Sequence, residues 1–145
     1  MKYIIHQVNC MGAFGAGFAG YLNGVSMTIR DDYIRYVHSM DDTRKLLGTY
    51  HITPYSDDVA IVHLFSQYGY GRGSVHTDYI AMDKGLKSFR RKYPKADCIC
   101  PYLIGCGLAG GDWDIVKKIL KRYDVVPSDS IRINEDGELS YSIKK

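Results

Sequence analysis

Tyr3-Ile4-Ile5-His6-Gln7-Val8-Asn9 runs through Cys10-Met11 into Gly12-Ala13-Phe14-Gly15-Ala16-Gly17-Phe18-Ala19-Gly20, joining a strand-like apolar run to a glycine-rich turn with helix-like sequence beyond it. The pattern returns near the other end of the chain. There Pro101-Tyr102-Leu103-Ile104 leads into Gly105-Cys106-Gly107-Leu108-Ala109-Gly110-Gly111, and then into Asp112-Trp113-Asp114-Ile115-Val116. Glycine lets the backbone approach a ligand closely, so that consecutive N–H groups can point at one anion. A helix starting just beyond adds its own free N–H groups and the positive end of its dipole. Two such turns in one short chain predict a pyrophosphate held between opposing loops.

Working outward, residues 2–9 read as a strand covered on both faces, because the apolar character is nearly continuous. A short helix is expected over 16–22 and a second over 32–39. Strands follow at 47–53, closed by Pro54, and at 59–65, where Val59-Ala60-Ile61-Val62-His63-Leu64-Phe65 is the most strand-like segment. Residues 67–73 form a loop. From Asp78 to Tyr93, the stripe Tyr79, Met82, Leu86, Phe89 and Tyr93 predicts an amphipathic helix stopped by Pro94. A strand is expected at 97–104 and a helix at 112–123. Short strands at 130–133 and 139–143 flank a Glu135-Asp136-Gly137 turn. Strands alternating with helices define an α/β layered domain. In such sheets ligands sit beyond the carboxyl ends of the strands, so both glycine turns and the loop 66–76 are expected to meet at one cleft.

The chain of 145 residues is read as a single domain over 1–145, with a sizeable core. It is 46% hydrophobic and 24% charged, with no apolar run of membrane-spanning length and no secretory-type leader, so a cytoplasmic protein is expected. The net charge of +3 suits an anionic small molecule but argues against a nucleic-acid groove, which needs a concentrated basic stripe. The basic groups Lys84, Lys87, Arg90, Arg91, Lys92 and Lys117, Lys118, Lys121, Arg122 are expected on solvated helix faces. Cys10, Cys98, Cys100 and Cys106 have no metal-type spacing and read as small buried thiols in a reducing compartment. No histidine near Cys106 in sequence supports a nucleophile. Neither a metal nor a cofactor is expected.

Gly15, Gly17 and Gly20 spell G-x-G-x-x-G, but a dinucleotide site needs a second strand ending in an acidic residue for the ribose. Asp41 and Asp42 stand at about that distance and follow a helix instead. A plainer reading leaves the glycines as close-packing residues.

The segments His6 to Ala19 and Leu103 to Trp113 resemble the two phosphate-cradling loops of macro domains, which bind ADP-ribose. The resemblance covers about residues 3–125. It is to the compact branch that contains terminal ADP-ribose protein glycohydrolase and the yeast-type ADP-ribose 1″-phosphate phosphatase. It implies a three-layer α/β/α domain, a mixed sheet with helices on both faces. It also implies a cleft for ADP-ribose or ADP-ribose 1″-phosphate, with an ADP-ribosylated protein as a further candidate partner. The ligand-binding residues carried over are Asn9, Ala13, Phe14, Gly15, Ala16 and Gly17 in the first loop. In the second they are Gly105, Cys106, Gly107, Leu108, Ala109 and Gly110. Asn9 is placed near the distal ribose or, alternatively, caps the turn after the strand. The family's acidic residue for the adenine amino group has no counterpart, so adenine is expected on Tyr68, Tyr70 or Phe14.

The glycohydrolase branch uses a lysine nucleophile and an aspartate after G-C-G-L; those positions here are in Phe65-Ser66-Gln67-Tyr68 and at Ala109. Neither alanine nor glutamine supplies a nucleophile or proton acceptor. Hydrolysis of a 1″-phosphate or an acyl ester by a positioned water remains chemically open, given one base and N–H donors for the developing charge. Asp112 is the candidate base, with helix capping as its alternative role. Among imidazoles, His6 alternates with apolar neighbours as an interior residue does, and His76 lies on the loop side. Arg72, flanked by glycines, can reach a phosphate or face solvent. Two functions follow: a hydrolase acting on an ADP-ribose derivative, which is preferred for a domain read as standing alone, or a non-catalytic module that reads or sequesters such ligands.

Overall fold

The computed structural model describes residues 1–71 and 73–143. Strand β1 (Lys2–Val8) leads into helices α1 (Gly17–Val25) and α2 (Met27–His38), then a 3-10 turn (Thr43–Leu46). Strands β2 (Tyr50–Pro54) and β3 (Val59–Phe65) precede helix α3 (Tyr79–Lys92), strand β4 (Asp97–Pro101) and helix α4 (Trp113–Arg122). Strand β5 (Val125–Ser128) and the hairpin β6 (Ile131–Ile133) and β7 (Leu139–Tyr141) complete the described elements.

The main sheet has the order β2-β3-β1-β4-β5. Strands β3, β1, β4 and β5 run parallel and β2 is antiparallel to β3, so the sheet is mixed. On one face, Leu22 of α1 and Ile29, Tyr33 and Val37 of α2 pack on Ile4, Val8, Ile61 and Phe65. On the other, Met82, Leu86 and Phe89 of α3 and Val116, Ile119 and Leu120 of α4 pack on Ile5, Val62, Leu64 and Cys100. This double covering is why β3 is buried at every position and carries no polar alternation. The result is the three-layer α/β/α arrangement.

Several elements depart from their sequence-based limits, each for a local reason. Helix α2 begins before residue 32 because Ser26 caps it, its side chain accepting from Thr28 N–H at 3.2 Å. Strand β4 stops at Pro101 rather than 104, since Ile104 N–H turns back to the Pro101 carbonyl (3.2 Å) and Leu103 takes φ 63°. Strand β5 carries no signal in the sequence reading. It is four residues long, contains Pro127 and pairs only with β4 at the sheet edge, a position that tolerates proline. Arg90 departs from the solvated face expected of it. Its guanidinium donates to the carbonyls of Tyr123 (2.7 Å), Ala96 (2.7 Å) and Asp124 (2.9 Å), closing the carboxyl end of α4.

Candidate functional site

The parallel strands β1, β3 and β4 all release their chains at one edge of the sheet, with Val8 and Phe65 in register. There the loops after β1, β3 and β4 converge on a cleft of about 410 Å³, within the range of small-molecule sites. Asn9, Ala13, Gly15, Ala16 and Gly17 line it from the first loop, and Gly105, Gly107, Leu108 and Ala109 from the second. Gln67, Tyr70 and Gly71 come from the third.

Each loop is held by side chains beneath it. Asn9 closes the first turn: Oδ1 accepts from the N–H groups of Met11 (3.0 Å) and Ala13 (3.1 Å), and Nδ2 donates to the Ala13 carbonyl (2.7 Å). Tyr33, from α2, donates its hydroxyl to the Asn9 carbonyl at 2.6 Å. The second loop is tied to the third. Gln7 Nε2 donates to Gln67 Oε1 (2.9 Å) and Thr77 Oγ1 (3.0 Å), while Gln7 Oε1 accepts from Ser66 Oγ (2.6 Å). Thr77 Oγ1 in turn donates to the Gly105 carbonyl at 2.5 Å. Gly105 sits at φ 74°, and a Cβ there would lie 3.0 Å from Gln7 Oε1 and 3.2 Å from Thr77 Oγ1. Gln67, within the segment Phe65-Ser66-Gln67-Tyr68 where the resemblance expects a lysine, is thus committed to loop structure.

With the loops fixed by side chains and carbonyls, many of their amides stay unspent. Among the described residues, the N–H groups of Gly15, Ala16, Gly17 and Phe18 find no protein acceptor, and nor do those of Gly105, Gly107, Leu108 and Ala109. Ala16 caps α1 with no side-chain bond, so that helix keeps its amino-terminal donors. No lysine, arginine or carboxylate is among the described residues lining the cleft. An anion entering it meets backbone donors.

The remaining expected site residues sit elsewhere. Phe14 is 5% exposed and packs on Tyr33 and His6 with ring centroids 4.9 and 5.6 Å away, so it serves the core; of the three aromatics expected against adenine, Tyr70 lines the cleft, beside Phe18 and Tyr102. Tyr68 is exposed outside the lining, its carbonyl accepting from Cys10 N–H at 3.0 Å. Cys106 turns toward the α3 and α4 side, where burial, aided by Asp112, pushes its thiol up to about 11. Gly110 spends its N–H on the Gly107 carbonyl at 3.0 Å.

Asp112 and His76, the candidate catalytic residues, do not line the cleft. Asp112 caps α4, its Oδ1 accepting from Asp114 N–H at 2.9 Å. His76 is half-buried, with its N–H on the Ala109 carbonyl at 2.8 Å and its ring against Gly69. Arg72 lies outside the described residues.

His6 is the one imidazole in the lining. It is 1% exposed, as an interior histidine should be, yet only half satisfied: Nε2 bonds His63 Nδ1 at 2.9 Å, and Nδ1 has no partner among the described residues. Burial pushes its pKa down to about 3.

No family model matches the chain, and no curated protein does. Solved structures do. A protein from Bacteroides thetaiotaomicron shares 27% identity and a TM-score of 0.74, over 84% of this chain and 80% of its own. A macrodomain protein from Streptomyces coelicolor shares 21% identity and a TM-score of 0.67, over 87% and 84% of the two chains. DarTG of Thermosipho africanus, solved in complex with ADP-ribose, shares 16% identity and a TM-score of 0.69, over 85% of this chain and 35% of its own. Sheet order and covering helices define a three-layer α/β domain with a cleft at the carboxyl ends of its parallel strands. The particular fold is that of the macro domain.

Proposed function

We propose that this protein binds ADP-ribose or a close derivative, with the diphosphate between the Gly15–Phe18 and Gly105–Ala109 backbones. The observation carrying this reading is the coincidence of unspent amides from two loops with a cleft lining that holds no charged side chain among the described residues. Backbone donors hold phosphate oxygens at fixed positions, and the start of α1 adds its dipole. Tyr70 offers a face to adenine, and the second N–H of the Asn9 amide is free for a ribose hydroxyl. The complex of DarTG with ADP-ribose lends support through the shared fold.

A second reading, hydrolysis of a 1″-phosphate or an ADP-ribosyl ester, is favoured by His6. A neutral imidazole at the cleft floor can take the proton of a water whose oxygen bonds to phosphorus as the ribose–phosphate bond breaks. The imidazolium then returns that proton to the departing ribose oxygen. Burial makes His6 a weak base for this, so binding is the primary reading.

Calorimetry with ADP-ribose, followed by a phosphate-release assay on the 1″-phosphate, tests both. Binding without release fits a module that reads or sequesters its ligand. Release that His6→Gln abolishes while ADP-ribose still binds fits the hydrolase. Failure of both ligands to bind below millimolar concentrations contradicts both readings.

A further inference from the structure

His51, His63 and His6 stand side by side across three neighbouring strands: His51 pairs with His63 in the β2–β3 ladder, and His63 with His6 in the β3–β1 ladder. A hydrogen-bonded chain follows this row from the α2 side of the molecule to the cleft floor. Asp32 Oδ2 accepts from Thr53 Oγ1 at 2.5 Å and bonds His51 Nε2 at 2.8 Å. Thr53 Oγ1 meets His63 Nε2 at 2.9 Å, and His63 Nδ1 meets His6 Nε2 at 2.9 Å. Thr53, His63 and His6 are all at least nine-tenths buried, whereas Asp32 borders a separate polar hollow with Thr28, Arg35 and His51.

The proton positions along this chain are fixed from one end. A carboxylate only accepts, so the single hydroxyl proton of Thr53 is spent on Asp32. Thr53 oxygen can then only accept from His63, which places the His63 proton on Nε2. His63 Nδ1 is left as a lone pair, so His6 must donate from Nε2. The remaining nitrogen, His6 Nδ1, is therefore a lone pair as well; among the described residues this buried atom has no partner, and its residue lines the cleft.

We propose that Asp32 is a positioning residue for the cleft: through Thr53 and His63 it holds His6 in the Nε2–H tautomer, so that Nδ1 presents a lone pair to a hydroxyl donor of the bound ligand. The tautomer is a property of the free protein. Only its use by the ligand rests on the ADP-ribose reading. Asp32 touches neither cleft nor ligand and acts solely by selecting which imidazole nitrogen carries the proton. A neutral amide in its place can donate to Thr53, which reverses the chain and puts the proton of His6 on Nδ1.

The test is two-bond ¹H–¹⁵N correlation of the histidine rings in the intact protein, for the wild type, Asp32→Asn, Thr53→Val and Thr53→Ser, each also titrated with ADP-ribose by calorimetry. The wild type should show lone-pair ¹⁵N shifts at Nδ1 of both His6 and His63. Thr53→Ser should preserve them, while Asp32→Asn and Thr53→Val should populate the Nδ1–H form of His6 and weaken ADP-ribose by several-fold. A wild-type His6 with its proton on Nδ1 overturns the proposal without recourse to any variant. Unchanged His6 and His63 shifts in both Asp32→Asn and Thr53→Val overturn it too, even where ADP-ribose binds. Tautomers that shift without a change in affinity overturn the role of the lone pair in binding. Wild-type tautomers as stated, with no ADP-ribose binding, support the chain and remove the functional reading instead.

Discussion

Asn9 and Ala13 grip each other twice, Nδ2 of Asn9 on the Ala13 carbonyl at 2.7 Å and the Ala13 N–H on Asn9 Oδ1 at 3.1 Å. This pair gives the first glycine turn its shape, with Tyr33 bracing it from below. Asn9→Ala removes the clasp and strands the Ala13 carbonyl. It should destabilise the protein by about 1–3 kcal/mol, the usual cost of abandoned buried partners. It should also weaken ADP-ribose binding at least tenfold. Asn9→Asp keeps the acceptor but loses the donor and sets a carboxylate beside the Ala13 carbonyl, so its binding defect should be the larger. Urea unfolding and calorimetry on both variants check this ordering; equal affinity to wild type in Asn9→Ala contradicts it.

Gly105 and Gly107 make a paired test of the second loop. At Gly105 the left-handed φ of 74° and a Cβ contact of 3.0 Å with Gln7 Oε1 both oppose a side chain. Gly105→Ala should cost roughly 1–3 kcal/mol and weaken binding by loosening the loop. At Gly107 a Cβ meets nothing within 4 Å and φ is not positive, so Gly107→Ala should unfold within about 0.5 kcal/mol of wild type. Chemical denaturation of the two variants distinguishes them, and a Gly105→Ala protein as stable as Gly107→Ala would show that the loop tolerates a different backbone.

Stability should respond to acid through the buried histidines. Burial lowers His6 to about 3 and His63 well below its ordinary value, whereas in the unfolded chain each titrates near about 6.5. Below about 6.5 the unfolded chain binds protons that the folded chain refuses. Stability is therefore complete above that pH and is lost progressively as pH falls toward 3. Urea midpoints should be level from pH 8 to 7 and decline between 6.5 and 5, where carboxylates contribute little. A flat profile across that window contradicts neutral, buried His6 and His63.

Asp112→Ala separates capping from catalysis. Loss of the bond to Asp114 N–H at the start of α4 should lower stability by about 1 kcal/mol. ADP-ribose affinity and any phosphate release should stay within twofold of wild type, because Asp112 does not line the cleft. A loss of turnover with unchanged binding would restore Asp112 to the chemistry.

Much of the fold was legible because its signals were local. Val59 to Phe65 is apolar without interruption, and the α3 stripe is bracketed by Asp78, which caps it, and by Pro94. Strand β5 was not legible, because four residues including Pro127 have meaning only beside β4, a partner distant in sequence. The two turns betrayed themselves through glycine, which marks where backbone must bend or approach. Which side each intervening residue takes was hidden: Phe14 and Cys106 belong to the same turns as Ala13 and Gly107 but face the core layers. The histidine row was hidden for the same reason. Each of His6, His51 and His63 looks like an isolated interior residue until the β2-β3-β1 order and register bring them level.

Amide ¹H–¹⁵N shifts recorded during titration with ADP-ribose, with adenosine as control, report whether backbone amides from both turns hold a diphosphate. Large shifts are expected at Gly15, Ala16 and Gly17 together with Gly107, Leu108 and Ala109 for ADP-ribose, absent with adenosine. Shifts confined to one turn, or identical perturbations from both ligands, would contradict it.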